Sequence, residues 1–176
     1  MPRARYVMTS VLLSLTTACS AEDAPGGSPP DAAAMPGTVD APSAPSGAGV
    51  AGVVRRSAQP SGDAKGSVYI ALFDQDPVAH KDTAKAVGNA LVANADLSAS
   101  GATVPYAIAN VPPRADDYYV IAFLDDNGNV DPTNPGAAGP DKGDLVSLQG
   151  VSAQKVKIAD AGPHTLDLDL NLVMPF

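Results

Sequence analysis

The chain has 176 residues, room for one ordinary domain, and its 19 Asp and Glu against 11 Lys and Arg give a formal net charge of -8. Two of the cations, Arg3 and Arg5, lie in the first segment, so the remainder is more acidic still. That balance excludes a nucleic-acid binder, which needs clustered Lys and Arg to meet phosphates, and the single cysteine excludes an internal disulfide.

Residues 1–18 have the three-part order of a secretory signal: Arg3 and Arg5, then an apolar run from Val7 to Leu15, then the small residues Thr16, Thr17 and Ala18 before Cys19. The run is too short to cross a bilayer core of about 30 Å as a helix. The stretch LTTACS resembles the lipobox of bacterial lipoproteins. Ala18 and Cys19 match it, while Thr16 stands where that motif usually has Leu, with Leu15 one place too early. The resemblance implies a diacylglyceryl thioether on Cys19 and attachment to a membrane through that lipid. The other reading is an ordinary cleaved signal with an incidental cysteine. Ser20 after the cysteine is similar to the sorting rule that sends lipoproteins to the outer membrane of a Gram-negative envelope.

Residues 19–62 are dominated by Ala, Pro, Gly, Ser and Asp, as in PGGSPPDAAAMPG and APSAPSGAG. Such a segment buries too little apolar surface to offset its ordering entropy and is expected to be a disordered tether. Its r.m.s. span would be roughly 35–40 Å. Val50–Arg56 is at most a first edge strand, interrupted by Gly52.

From residue 63 to 176 the apolar residues alternate with period 2. Val68, Ile70 and Leu72 share one face of SVYIALFD; Val104, Tyr106 and Ile108 form the inward set of TVPYAIAN. In YYVIAFLD both faces are apolar, with Tyr119, Ile121 and Phe123 opposite Val120, Ala122 and Leu124, which predicts a central strand covered on both sides. TLDLDLNLV predicts a half-buried strand with Leu166, Leu168, Leu170 and Leu172 inside and Asp167, Asp169 and Asn171 wet. Shorter strands are expected at 90–97, 145–148 and 154–158, and one short helix at 82–87, closed by Gly88. Turn signals separate these segments: Asp76-Pro77, Pro112-Pro113, Asp126-Asn127-Gly128, Asn134-Pro135-Gly136 and Gly162-Pro163. The pattern predicts an all-β, antiparallel Greek-key sandwich of about seven strands, its end at Val173-Met174-Pro175-Phe176 tucked against the sheets.

The succession GSVYIALFD, IANVPPRADDYYVIAFLDDNGNVDP, GPDKGDL and TLDLDLNL resembles the transthyretin-like (prealbumin-like) sandwiches of bacterial lipoproteins. It is also similar to exported sandwich proteins with a DxNGN loop after a strand. The resemblance covers most of residues 66–172 and departs from the pattern at Arg114-Ala115-Asp116-Asp117, where relatives carry a glycine turn. It implies a fold more than an activity.

One constellation carries chemistry. Asp125, Asn127, Asn129 and Asp131 recur at every second position around Gly128. Calcium takes six to eight hard oxygens, and Asp141 or Asp144 from GPDKGD would complete such a shell. The spacing is not that of an EF-hand, since Val130 and Gly136 occupy the places of its glycine and its bidentate Glu. The competing reading is a plain turn in which these side chains cap their own backbone. Asp74 and Asp76 read as a solvated turn, Asp116 and Asp117 as loop charges, and His80 and His164 as surface histidines. No hydrolase, zinc, redox or P-loop motif is present, so no enzyme is expected. Tyr106, Tyr118 and Tyr119 would suit sugar stacking, but alternation assigns at least Tyr106 and Tyr119 to the core. The expected function is a non-catalytic envelope lipoprotein whose sandwich, stabilised by calcium, is a binding or scaffold module. The alternatives are a metal-free domain that meets a protein partner through its sheet edge, and a carbohydrate-binding module.

Overall fold

A computed structural model of the chain describes residues 47–131, 133 and 139–175. The signal segment, Cys19, the tether before residue 47 and Phe176 lie outside the described residues. Among the described residues the fold is all-β, with ten strands in two sheets. They are β1 (Gly49–Arg56), β2 (Lys65–Phe73), β3 (Ala86–Asp96), β4 (Thr103–Ala109), β5 (Tyr118–Asp125), β6 (Leu145–Val146), β7 (Gln154–Val156), β8 (Pro163–Thr165), β9 (Leu168–Leu170) and β10 (Leu172–Val173). One sheet runs β4-β1-β8, with β9 also on β1; the other runs β10-β6-β5-β2-β3, with β7 also on β5. All pairings are antiparallel except those of β1 with β8 and β9, which are parallel.

The period-2 alternation of the sequence builds the core. Val68, Ile70 and Leu72 of β2 and Val120, Ala122 and Leu124 of β5 pack against Val50, Val54, Tyr106, Ile108, Leu168 and Leu170 from the opposite sheet. The Tyr106 hydroxyl donates to Leu166 O at 2.8 Å, so the one polar atom of this ring is satisfied inside the core. The opposite face of β2 and β5 carries a smaller cluster of Tyr69, Phe123, Val130 and Val146, in which Tyr69 and Phe123 stack with ring centroids 5.0 Å apart. Tyr119 lies on this outer face and is half-buried, with the Lys155 ammonium 5.7 Å from its ring centre, so the core position expected for it is corrected.

Three other expectations are corrected. First, residues 47–62 are not all tether. β1 lies between β4 and the β8/β9 pair, with Val50 and Val54 fully buried. Gly52, which weakens the strand by propensity, is there for close approach: a Cβ would collide with Leu166 O as the chain passes between β8 and β9. Arg56 closes the strand by donating from Nε to Leu97 O at 2.5 Å and from Nη2 to Ser98 O at 2.6 Å.

Second, the helix expected at 82–87 is replaced by turns. Lys85 N donates to Asp74 Oδ1 at 2.7 Å and Asp74 N to Lys85 O at 3.0 Å, which pulls Ala86 into register with Phe73 and commits the chain to β3. Third, TLDLDLNLV is not one continuous strand. Asp167 Oδ1 accepts Val53 N at 3.0 Å and bulges the chain between β8 and β9. At Asn171 the chain then leaves the first sheet for the second. There Asn171 Oδ1 accepts Leu148 N at 3.0 Å and its Nδ2 donates to Leu148 O at 2.7 Å. Alternation breaks at the switch, leaving Leu172 40% exposed while Leu168 and Leu170 are buried.

Candidate functional site

The pairing of β5 with β6, Phe123 with Val146 and Leu124 with Leu145, sets residues 139–144 over the end of β5. Asp125, the last residue of β5, is 3% exposed. Its Oδ1 accepts Gly128 N at 2.8 Å and Asn129 N at 3.1 Å, and its Oδ2 accepts Val130 N at 3.2 Å. Gly128 has φ of +71°, which lets consecutive N–H groups turn toward one carboxylate. The same cap holds Val130 in the outer-face cluster with Tyr69 and Phe123.

Asp144 is fully buried and does the same from the other side. Its Oδ1 accepts Asp126 N at 3.2 Å and its Oδ2 accepts Asp141 N at 3.0 Å. Burial raises its carboxyl pKa, with the charges of Asp141 and Asp125 adding to the rise and the N–H groups of Asp141 and Asp126 opposing it. Asp141 bridges the two asparagines, taking Asn127 Nδ2 at 2.9 Å on Oδ1 and Asn129 Nδ2 at 2.5 Å on Oδ2. Asn127 Oδ1 in turn accepts Asn129 N at 3.0 Å. Asp131 stands apart: its Oδ1 accepts Thr133 Oγ1 at 2.7 Å and Thr133 N at 2.8 Å. These bonds hold its pKa below the ordinary carboxylate value, the hydroxyl contributing most.

The structure thus gathers Asp125, Asn127, Asn129, Asp141 and Asp144 and leaves Asp131 outside. The oxygens are chemically suited to calcium, yet in this arrangement they serve as acceptors for N–H groups, and the asparagines present their amide nitrogens to Asp141. Among the described residues no set of three or more Asp, Glu, His or Cys side chains encloses a metal position. What the arrangement does is close a loop of like-charged side chains by hydrogen bonds. Asp126, a residue not singled out by spacing, adds a clamp: its Oδ2 accepts Gly62 N at 2.6 Å, while its Oδ1 is buried without a partner.

The other end of the sandwich is also held by polar side chains. Arg114 lies 3.9 Å above the Tyr118 ring and donates through Nη2 to Asp74 O at 2.7 Å and to Asp117 O, and through Nε to Asp116 O at 3.2 Å. Asp76 is buried and accepts Val78 N at 3.0 Å and Ala153 N at 3.3 Å. Burial works against its charge, but these N–H groups, with the Ser152 hydroxyl and Ala79 N, outweigh it and lower the pKa. His80 is exposed, and His164 Nε2 lies 3.3 Å from Asp160 Oδ1. Asp74, Asp76 and Arg114 are therefore fasteners of this end, with Asp76 buried where a solvated turn was expected.

A second candidate is the edge of the larger sheet. β3 is an eleven-residue strand paired on one side only, with β2. Natural edges are blunted by shortness, proline or charge. β4 carries Pro105 in mid-strand, β8 begins at Pro163, and β7, β9 and β10 have two or three residues each. β3, AVGNALVANAD, has no proline and no charge before Asp96. Val87, Asn89 and Leu91 of its outer face are exposed, Leu91 at 48%. β4 packs on its inner face, where a Cβ on Gly88 would stand 2.7 Å from Ile108 Cγ2, and leaves the edge unpaired. The sequence predicts a strand at 90–97 but does not mark it as an edge. The signal available was the uncharged, proline-free run itself.

Compared with protein-family models, with curated proteins and with solved structures, the chain matches none. The class defined by fold and site is an all-β, sandwich-like module with an acidic loop locked on itself and, among the described residues, one unguarded sheet edge.

Proposed function

We propose that the chain is a non-catalytic β-sandwich module of the bacterial envelope, lipid-anchored through Cys19, that serves as a binding or scaffold unit by offering its β3 edge to a protein strand. The carrying observation is that β3 alone among the described edge strands is long and lacks proline and interior charge. The Asp125 loop supports the unit as a rigid end, held by its own N–H groups. That end lies away from the point where the chain enters: β1 starts beside Ala109 and Pro163, and the segment after its last residue is clamped at Gly62 to Asp126. A photo-crosslinking residue at Leu91 in membrane-bound protein should yield a defined protein adduct that the same residue at Val151, 83% exposed in a loop, does not. Equal labelling from both positions would sink the edge reading.

Calcium at the Asp125 loop is the second reading. It is favoured by the gathering of Asp125, Asp141 and Asp144 with no cationic partner among the described residues: the described ion pairs are Arg55–Asp169 and Lys65–Asp96, both elsewhere. For a calcium Kd of about 0.1–1 mM, about 10 mM ion would stabilise the fold by roughly 1.4–2.7 kcal/mol. A melting temperature that is the same in 10 mM calcium and in chelator would eliminate this reading.

A further inference from the structure

We infer that the occupant of the β3 edge is a second copy of this chain, paired antiparallel about a two-fold axis near Ala90 and Leu91. The inference rests on the edge reading above and goes beyond it by naming the partner.

Charge argues for it. The chain carries -8 overall, so two copies repel at most approaches. Residues 86–95 of β3 are uncharged, and this run is bounded by Lys85 on one side and Asp96 on the other. An antiparallel two-fold about Ala90 or Leu91 sets Lys85 of each copy within a residue or so of Asp96 of the other. A parallel arrangement would set like against like. Lys65 already lies 3.0 Å from Asp96, so the acidic end enters the interface partly neutralised.

Geometry sets the limits of the contact. The β2–β3 ladder is irregular between Gly66 and Val68 and again between Leu72 and Phe73, which leaves Gly88–Val92 as its regular stretch. Asn94, with φ of +53°, marks the bulge at one end of that stretch. A two-fold perpendicular to the sheet keeps each residue on its own face, so Leu91 of one copy meets, or lies one step from, Leu91 of the other on the exposed face. Such a pair removes two half-exposed leucines from water and continues the larger sheet across both copies. A ladder of about five residues buries less than a standard interface, so the dimer is weak in solution, with Kd between about 10 µM and 1 mM. Confinement to a membrane surface would raise the effective concentration.

The test uses the full chain carrying Cys19→Ser. Sedimentation equilibrium should show a reversible monomer–dimer system, and Leu91→Lys, which sets two cations at the axis, should raise the dimer Kd at least about tenfold. Should Leu91→Lys fail to fold, Asn89→Lys puts the same charge on the same exposed face. A short bismaleimide should couple Leu91→Cys into dimers much faster than Val151→Cys. A chain that stays monomeric at about 1 mM, or couples equally from both cysteines, overturns self-pairing. If Leu91 instead crosslinks to a different protein in membranes, the edge reading stands and the second copy is ruled out; with neither adduct nor dimer, both fall.

Discussion

Removing the carboxylate of Asp125 tests whether the loop is closed by its own backbone. In Asp125→Ala the N–H groups of Gly128, Asn129 and Val130 lose this carboxylate, Asn129 N keeping Asn127 Oδ1 as an acceptor. The first two residues are exposed, so water replaces much of what they lose, at about 0.5 kcal/mol each. Val130 is buried, and an unsatisfied buried donor costs about 1–3 kcal/mol. The sum is about 3 kcal/mol, a large part of the 5–15 kcal/mol typical of a domain. It should be lost in chelator, with no metal involved. At a urea m-value of about 2 kcal/mol/M the midpoint would fall by roughly 1.5 M. Near-UV circular dichroism should report the same transition, because Val130 covers the Tyr69–Phe123 stack. Asp131→Ala is the control: among the described residues that exposed carboxylate accepts from Thr133 alone, and its loss should stay within about 0.5 kcal/mol. The reasoning is refuted if Asp125→Ala costs under about 1 kcal/mol in chelator, or if the two variants are equally damaging.

A chain starting at Asp63 lacks β1, the strand that joins β4 to β8 and β9, and should give no cooperative melt, whereas one starting at Ala48 should. Cooperative unfolding of the shorter chain would show β1 to be dispensable. The exposed Asp96 carboxyl is lowered to about 2, first by the Ser98 hydroxyl and then by Ser98 N and Lys65. A lowered acid contributes stability above its unfolded value of about 3.9, and that contribution is lost as pH falls through about 2. An NMR titration should place its midpoint near 2 in wild type and higher in Ser98→Ala; identical midpoints would contradict the assignment. Asn171→Ala deletes both bonds to Leu148 at the sheet switch and should cost about 1 kcal/mol, with faster amide exchange at Leu148. Unchanged exchange there would mean that β10 is held by its ladder alone.

Much of this architecture is legible in the sequence because a half-buried strand writes its two faces in alternation. Val68, Ile70 and Leu72, or Val120, Ala122 and Leu124, need nothing more to be assigned to one side. Legibility fails where a local rule is overridden by distant partners. Gly52 and the sparse flanks of Val50–Arg56 read as tether because nothing local shows the two neighbours that bury the strand. Asp82–Val87 reads as a helix because the Asp74–Lys85 bonds that make it a hairpin connection come from eleven residues away. TLDLDLNLV reads as one strand because a sheet switch at Asn171 preserves the alternating letters while changing the surface each leucine meets.

The loop shows the same limit in its chemistry. Spacing makes Asp125 and Asp131 equivalent ends of one ligand set, but Asp125 is the last residue of a buried strand and Asp131 lies beyond the turn, so only the first is drawn in by the N–H groups it faces. The consequence reaches the edge. Leu91, Tyr69, Phe123 and Val146 lie side by side across β3, β2, β5 and β6, and Val130, set down by the Asp125 cap, packs on the middle of that row. The cap therefore fixes the cover of the aromatic pair, and the aromatic pair flanks the exposed leucine at the rim. Loop closure and the exposed leucine are thus two ends of one packed row, which is why the Asp125 carboxylate bears on how firmly Leu91 is held at the rim.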